Sequence, residues 1–120
     1  MFDYAQVQLL GRATSDAHLS NIDDQDRTSK ATFSIACNIP IRRGSEILTR
    51  TIFRRIMVLG SYANYVASCQ DSGGLKGRLI NIVGCMDDER YEDDDSREVT
   101  RVAPGAGFIK IMDRRNQSNA

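Results

Sequence analysis

Hydrophobic residues in this chain recur at every second position in segment after segment, and that period changes only once. "YAQVQLLG" sets Ala5, Val7 and Leu9 against Tyr4, Gln6 and Gln8, the pattern of a half-buried strand. "ATFSIACN" sets Phe33 and Ile35 against Thr32 and Ser34, and "ILTRTIFRRIMVLG" follows as a long strand rich in β-branched residues. The change comes in "SYANYVASCQDSGG", where Tyr62, Tyr65, Val66 and Cys69 fall at i, i+3, i+4 and i+7. That spacing predicts one short helix, with Ser61 as its N-cap and Gly73–Gly74 as its stop. "GRLINIVGCM" returns to strand, and Gly84 inside it predicts a bulge or sharp bend. "REVTRVA" and "GFIKIM" are two further strands, separated by "PGAG". "HLSNIDDQDRTSK" is polar and aperiodic and reads as a loop, while Pro40 and Gly44 in "IPIRRGSE" mark a turn.

Three strands, one helix and three more strands predict an all-β protein. The arrangement suits a five-stranded Greek-key barrel of the OB-fold type, with the helix between strands three and four and a sixth segment at the end. The length of 120 residues fits a single domain, assigned to residues 1–112, with the polar stretch 113–120 as a flexible tail.

Sixteen basic and sixteen acidic residues cancel, so any charged partner must be argued from where the charges lie. No apolar run approaches the roughly 20 residues of a membrane span. The opening "MFDYAQVQLLG" has neither the basic and apolar regions of a signal peptide nor the arginines of a transit peptide. Cys37, Cys69 and Cys85 are odd in number, widely spaced and lack a C-x-x-C pair. They read as small buried hydrophobes in a reducing compartment rather than disulfides or a zinc site.

Nothing in the chain assembles a catalytic constellation. His18 is the only histidine and sits in a polar stretch, and phosphate-loop, nucleophile-elbow and zincin motifs are absent. The most acidic stretch, "GCMDDERYEDDDSREV", packs five Asp and three Glu into sixteen residues without the spacing or glycine of an EF-hand loop. A solvated hairpin is its simplest reading. The sequence therefore points away from an enzyme, and no cofactor or metal is expected.

Three segments together resemble the bacterial and mitochondrial single-stranded DNA-binding protein family. "VQLLGRATSD" is similar to that family's opening strand and "ATFSIACN" to its second. "TIFRRIMVLGSYANYVASC" runs strand, glycine, helix as the family does, and "KGRLINIVGCM" resembles its lysine-glycine turn and next strand. With the closing "GFIKIM", the likeness spans residues 4 to 112.

The resemblance implies a homo-oligomer, most often a tetramer and alternatively a dimer, that coats single-stranded DNA without sequence preference. Such binding needs cations for phosphates and flat side chains for bases, each stack contributing about 1–3 kcal/mol. Carried over position by position, the family's aromatic platforms fall on Phe53, Leu59, a place near Ile41, and Tyr91. Two of the four therefore keep a ring. Alternation puts Arg55, Met57 and Leu59 on the face of Phe53, opposite Ile52, Ile56 and Val58. Arg42, Arg43, Arg50, Arg54 and Arg55 are the expected phosphate contacts, with Phe53 and Tyr91 the expected base contacts. Tyr62 and Tyr65, at helical spacing, are expected in the core or at a subunit contact.

The acidic stretch departs from the family. Counting back from Tyr91 puts Glu89 and Asp87 where the family commonly has cations, with Arg90 on the opposite face. Each missing phosphate contact should flatten the salt dependence of binding. Two further readings stay open: a protein-interaction adaptor that docks a replication protein on the acidic hairpin 87–98, or an RNA-binding accessory subunit. The absence of a long tail with an acidic tip resembles mitochondrial members, so the matrix nucleoid is expected rather than a bacterial cytoplasm, with a role in DNA replication, repair or recombination.

Overall fold

In an alternating chain one face of each strand must leave water, and here those faces turn inward on one another. The computed structural model describes residues 5–21, 29–69, 74–90 and 96–112. Its elements in chain order are β1 (Gln6–Ala13), β2 (His18–Asn21), β3 (Ser29–Arg43), β4 (Glu46–Leu59), α1 (Ser61–Ala67), β5 (Leu79–Arg90), β6 (Ser96–Val102) and β7 (Phe108–Ile111). The sheet runs β1-β3-β4-β6-β5 and returns to β1, because β1 pairs with both β3 and β5. That closure makes the expected five-stranded barrel, and closing the sheet is how an all-β chain removes exposed edges. β4 and β6 form its parallel pair. β2 is added to β3 and β7 to β5.

The barrel interior takes the odd residues of β3 (Ala31, Phe33, Ile35, Cys37) and the even residues of β4 and β5 (Ile56, Val58, Ile80, Ile82). Val102, Ile109, Leu75 and the helix residues Ala63 and Val66 complete it. Burying a side chain such as Ile56 contributes about 1.5–3 kcal/mol. The Asp16 carboxylate tethers the turn after β1 to the entry into β5: its Oδ1 accepts the Leu75 N–H at 2.8 Å and the Lys76 N–H at 2.9 Å.

Four local expectations change. His18–Asn21, read as loop, forms β2 by pairing with Ser29–Thr32. Those four residues carry no alternation of their own, so only the partner strand makes them extended. Pro40 lies inside β3 opposite Thr49, where no described strand flanks the other edge and a missing N–H is tolerated. The turn falls at Gly44, whose φ is 60°, between the paired Arg43 and Glu46. Gly60, with φ 64°, occupies the N-cap position and no side chain caps the helix, so Ser61 is its first residue rather than its cap. A 3₁₀ turn over Ser68 and Cys69 then closes the helix.

Gly84 makes no bulge. β5 stays in register with β1 across it, with Val7 opposite Gly84. A Cβ at this position would lie 2.6 Å from the Arg101 carbonyl oxygen. The glycine serves a close backbone approach between β5 and β6. Gly73 and the segment 113–120 lie outside the described residues.

Candidate nucleic-acid interface

Strand parity sorts the predicted contacts onto two faces. On the outer face of β3 and β4 the opposed pairs are Ser34–Arg55, Ala36–Phe53, Asn38–Thr51, Pro40–Thr49 and Arg42–Ile47. Phe53 is 62% exposed there, a flat ring available to solvent on the barrel's outer face. Its neighbour across the strand pair is the small Ala36. Arg55 is two residues along on the same face. Arg42 shares that face too, six residues from Ala36 and so about 20 Å away along β3.

Arg43, Arg50 and Arg54 lie on the other face of the same two strands, opposite Glu46, Ile39 and Ile35. Asn38 and Thr51 are linked across the hairpin by a 2.6 Å hydrogen bond from the threonine hydroxyl. Beyond that pair the two strands project as an arm whose Ile47 and Leu48 are exposed. Arg54 is exposed and donates from Nη1 to the Phe53 carbonyl at 2.8 Å. The five predicted arginines therefore do not line one groove. Phe53, Arg55 and Arg42 share a surface, while Arg43 and Arg50 lie on the reverse of the arm and Arg54 has that same reverse parity nearer the barrel, opposite Ile35. Leu59 and Ile41, the aliphatic replacements for rings, are both half-buried.

Sequence reasoning missed three cations of the outer face. Arg12 lies opposite Ala36 and therefore on the same face as Phe53, one strand beyond. Arg101, on β6, lies opposite Met57 on one side and Cys85 on the other. Arg97 has the same parity on β6 and is exposed. The signal was present in "REVTRV", where Arg97, Val99 and Arg101 alternate, but reading that face required knowing that β6 lies beside β4.

The acidic hairpin stem is also split by face. β5 and β6 pair from Cys85–Arg101 to Arg90–Ser96. Asp88 and Glu98 oppose each other directly on the side away from Phe53 and, with Met86 and Asp87, line a shallow cleft. Opposed like charges destabilise a strand pair, so that edge favours a positively charged neighbour. Asp87 sits on the Phe53 side, where its Oδ2 meets Arg101 Nε at 3.1 Å. Its Oδ1 accepts the Asp88 N–H at 2.8 Å. Tyr91 and the carboxylates at 92–95 lie outside the described residues.

The two helix tyrosines serve structure. Tyr62 packs on the core and donates its hydroxyl to the Gly107 carbonyl at 3.2 Å. Tyr65 is partly exposed, and its hydroxyl oxygen accepts the Ile111 N–H at 3.0 Å, holding β7 against the helix. Cys37 and Cys69 are buried and free, and Cys85 is free and half-exposed. Burial pushes the Cys37 thiol above its ordinary value, against the opposing charge of Arg54. Burial does the same to Cys69 against Arg78.

A closed five-stranded barrel with a helix between its third and fourth strands in chain order defines an OB-fold module. The solved structure described as the Plasmodium falciparum SSB complex with ssDNA shares that fold with a TM-score of 0.76. The match covers 94% of this chain and 98% of that one at 19% sequence identity, so it is the architecture that is shared. No protein-family model matches the sequence, and no curated protein matches it.

Proposed function

We propose that this chain binds single-stranded DNA without sequence preference, through stacking and charge and with no bond made or broken. The observation that carries the reading is Phe53, exposed on the outer face of a closed OB barrel, with Arg55 two residues along on the same face and Arg12 at the same parity on β1, where its Nη1 donates to the Gly77 carbonyl at 3.0 Å. A ring beside guanidinium groups offers stacking to any base and neutralisation to any phosphate, which is the chemistry of sequence-tolerant single-strand binding. The fold likeness to a protein solved with ssDNA supports the same reading.

Self-association, with a tetramer as the favoured state and a dimer the alternative, belongs to this proposal. Leu10 and Phe108 are exposed on the outer side of the β1-β5-β7 surface. Among the described residues, β1 has no partner on its second edge from Gln6 to Gly11. An apolar face beside an unpaired edge favours a second copy of the chain. A mitochondrial nucleoid is the proposed setting, and strand protection during replication, repair or recombination the proposed role. Asp88 and Glu98 are the part of the acidic hairpin offered to a replication-protein partner.

Fluorescence anisotropy with labelled oligo(dT), a matched RNA and a duplex, at several salt concentrations, tests the reading. Salt-sensitive binding to oligo(dT) in preference to duplex is expected. Equal or tighter binding to RNA would move the function to an RNA-binding subunit, and binding to none of the three would leave the adaptor reading in its place.

A further inference from the structure

Asp87 shares the outer face of the β5–β6 stem with Arg101 and, across β6, with Phe53 and Arg55, and both of its oxygens are engaged. Oδ2 accepts from Arg101 Nε at 3.1 Å, while Oδ1 accepts the Asp88 N–H at 2.8 Å. Val99, directly opposite Asp87 on the same face, is buried at 1% exposure. The pair itself is open to solvent, with Arg101 46% and Asp87 42% exposed.

We propose that Asp87 is an intramolecular stand-in for a nucleic-acid phosphate on Arg101, so that a single strand crosses the β5–β6 side of the barrel only by displacing it. The inference rests on the single-strand-binding reading and adds a device that sets its affinity and salt response. An anionic oxygen on the Nε edge of a guanidinium is the arrangement a phosphate takes. An ion pair this exposed is weak enough for a phosphate to compete with. The Asp88 N–H keeps the displaced carboxylate close by, so it returns when the strand leaves. Binding across this side therefore exchanges one anion for another on Arg101 and releases fewer counterions than a bare arginine would.

The test compares wild type, Asp87→Asn, Arg101→Gln and the double variant, by anisotropy with labelled oligo(dT) from low to moderate salt. All substituted positions are substantially exposed, and circular dichroism confirms the fold of each. Asp87→Asn is expected to tighten binding about three- to tenfold at low salt, and to steepen the slope of log K against log salt by about 0.7, the value for one further single-strand phosphate. Both gains should vanish in the double variant. If wild type binds oligo(dT) and Asp87→Asn changes neither affinity nor slope, the stand-in idea fails and the binding reading survives. Gains that persist in the double variant would reduce Asp87 to simple repulsion and also overturn it. If neither wild type nor Asp87→Asn binds oligo(dT), both ideas fall together.

Discussion

Phe53 illustrates how a single side chain separates stability from function. Its ring is mostly in water and its strand mates Ile52, Ile56 and Val58 face the interior, so folding gains little from it. Phe53→Ala should therefore leave the thermal midpoint nearly unchanged. It should weaken oligo(dT) binding by about 1–3 kcal/mol, the worth of one stacked base, readable by anisotropy titration. Unchanged affinity would remove Phe53 from the interface. The cysteines give a second residue-level test. Burial raises the thiols of Cys37 and Cys69 above their ordinary 9.0, so each keeps its proton in the native state at a pH where the unfolded chain has lost it. Their contribution to stability is intact below pH 9 and declines as pH rises through the native values. Urea unfolding should show a falling midpoint above pH 9. In native protein at neutral pH, half-exposed Cys85 should be alkylated before the other two, as followed by intact mass.

At the level of elements, contacts between strands matter more than propensity within them. Gly84 has ordinary strand pairing, but any side chain there would meet the Arg101 carbonyl at 2.6 Å and the Thr100 and Val102 side chains just beyond. Gly84→Ala should destabilise the barrel by about 1–3 kcal/mol, as overpacking does, lowering the urea midpoint. Asp16 is also legible only across elements. Asp16→Ala leaves the Leu75 and Lys76 amides without their acceptor, at a cost of about 1–3 kcal/mol in the same measurement. β4 and residues 31–38 of β3 were readable from their alternation, and the helix from its single change of period, whereas residues 39–43 read as a turn and are strand because β4 pairs with them. β2 was not readable, because His18–Asn21 is extended only by virtue of β3. The glycine cap and the bulge-free Gly84 were misread for a related reason: a glycine in sequence signals freedom or crowding, and only the neighbouring backbone says which.

For the whole molecule, Leu10 and Phe108 mark the exposed apolar surface proposed for self-association. Leu10→Lys is expected to shift light-scattering mass toward a smaller assembly without unfolding the chain, since Leu10 is mostly in water already. An unchanged mass would move the assembly surface elsewhere. Alternation along the chain marked by itself an all-β protein with one helix, since period two buries one face of each strand, while closure into a barrel rests on β1 pairing with both β3 and β5. It also put Phe53 outside the core, because its parity opposes Ile56 and Val58. The tertiary structure alone decided which charges meet. Arg12, Arg55, Arg97 and Arg101 come to the Phe53 face from three different strands, Arg43 and Arg50 turn away on the reverse of the arm, and Asp87 is drawn onto Arg101. Pairing between distant strands sets those neighbours, and a linear pattern of charges holds no information about which strand will lie beside which.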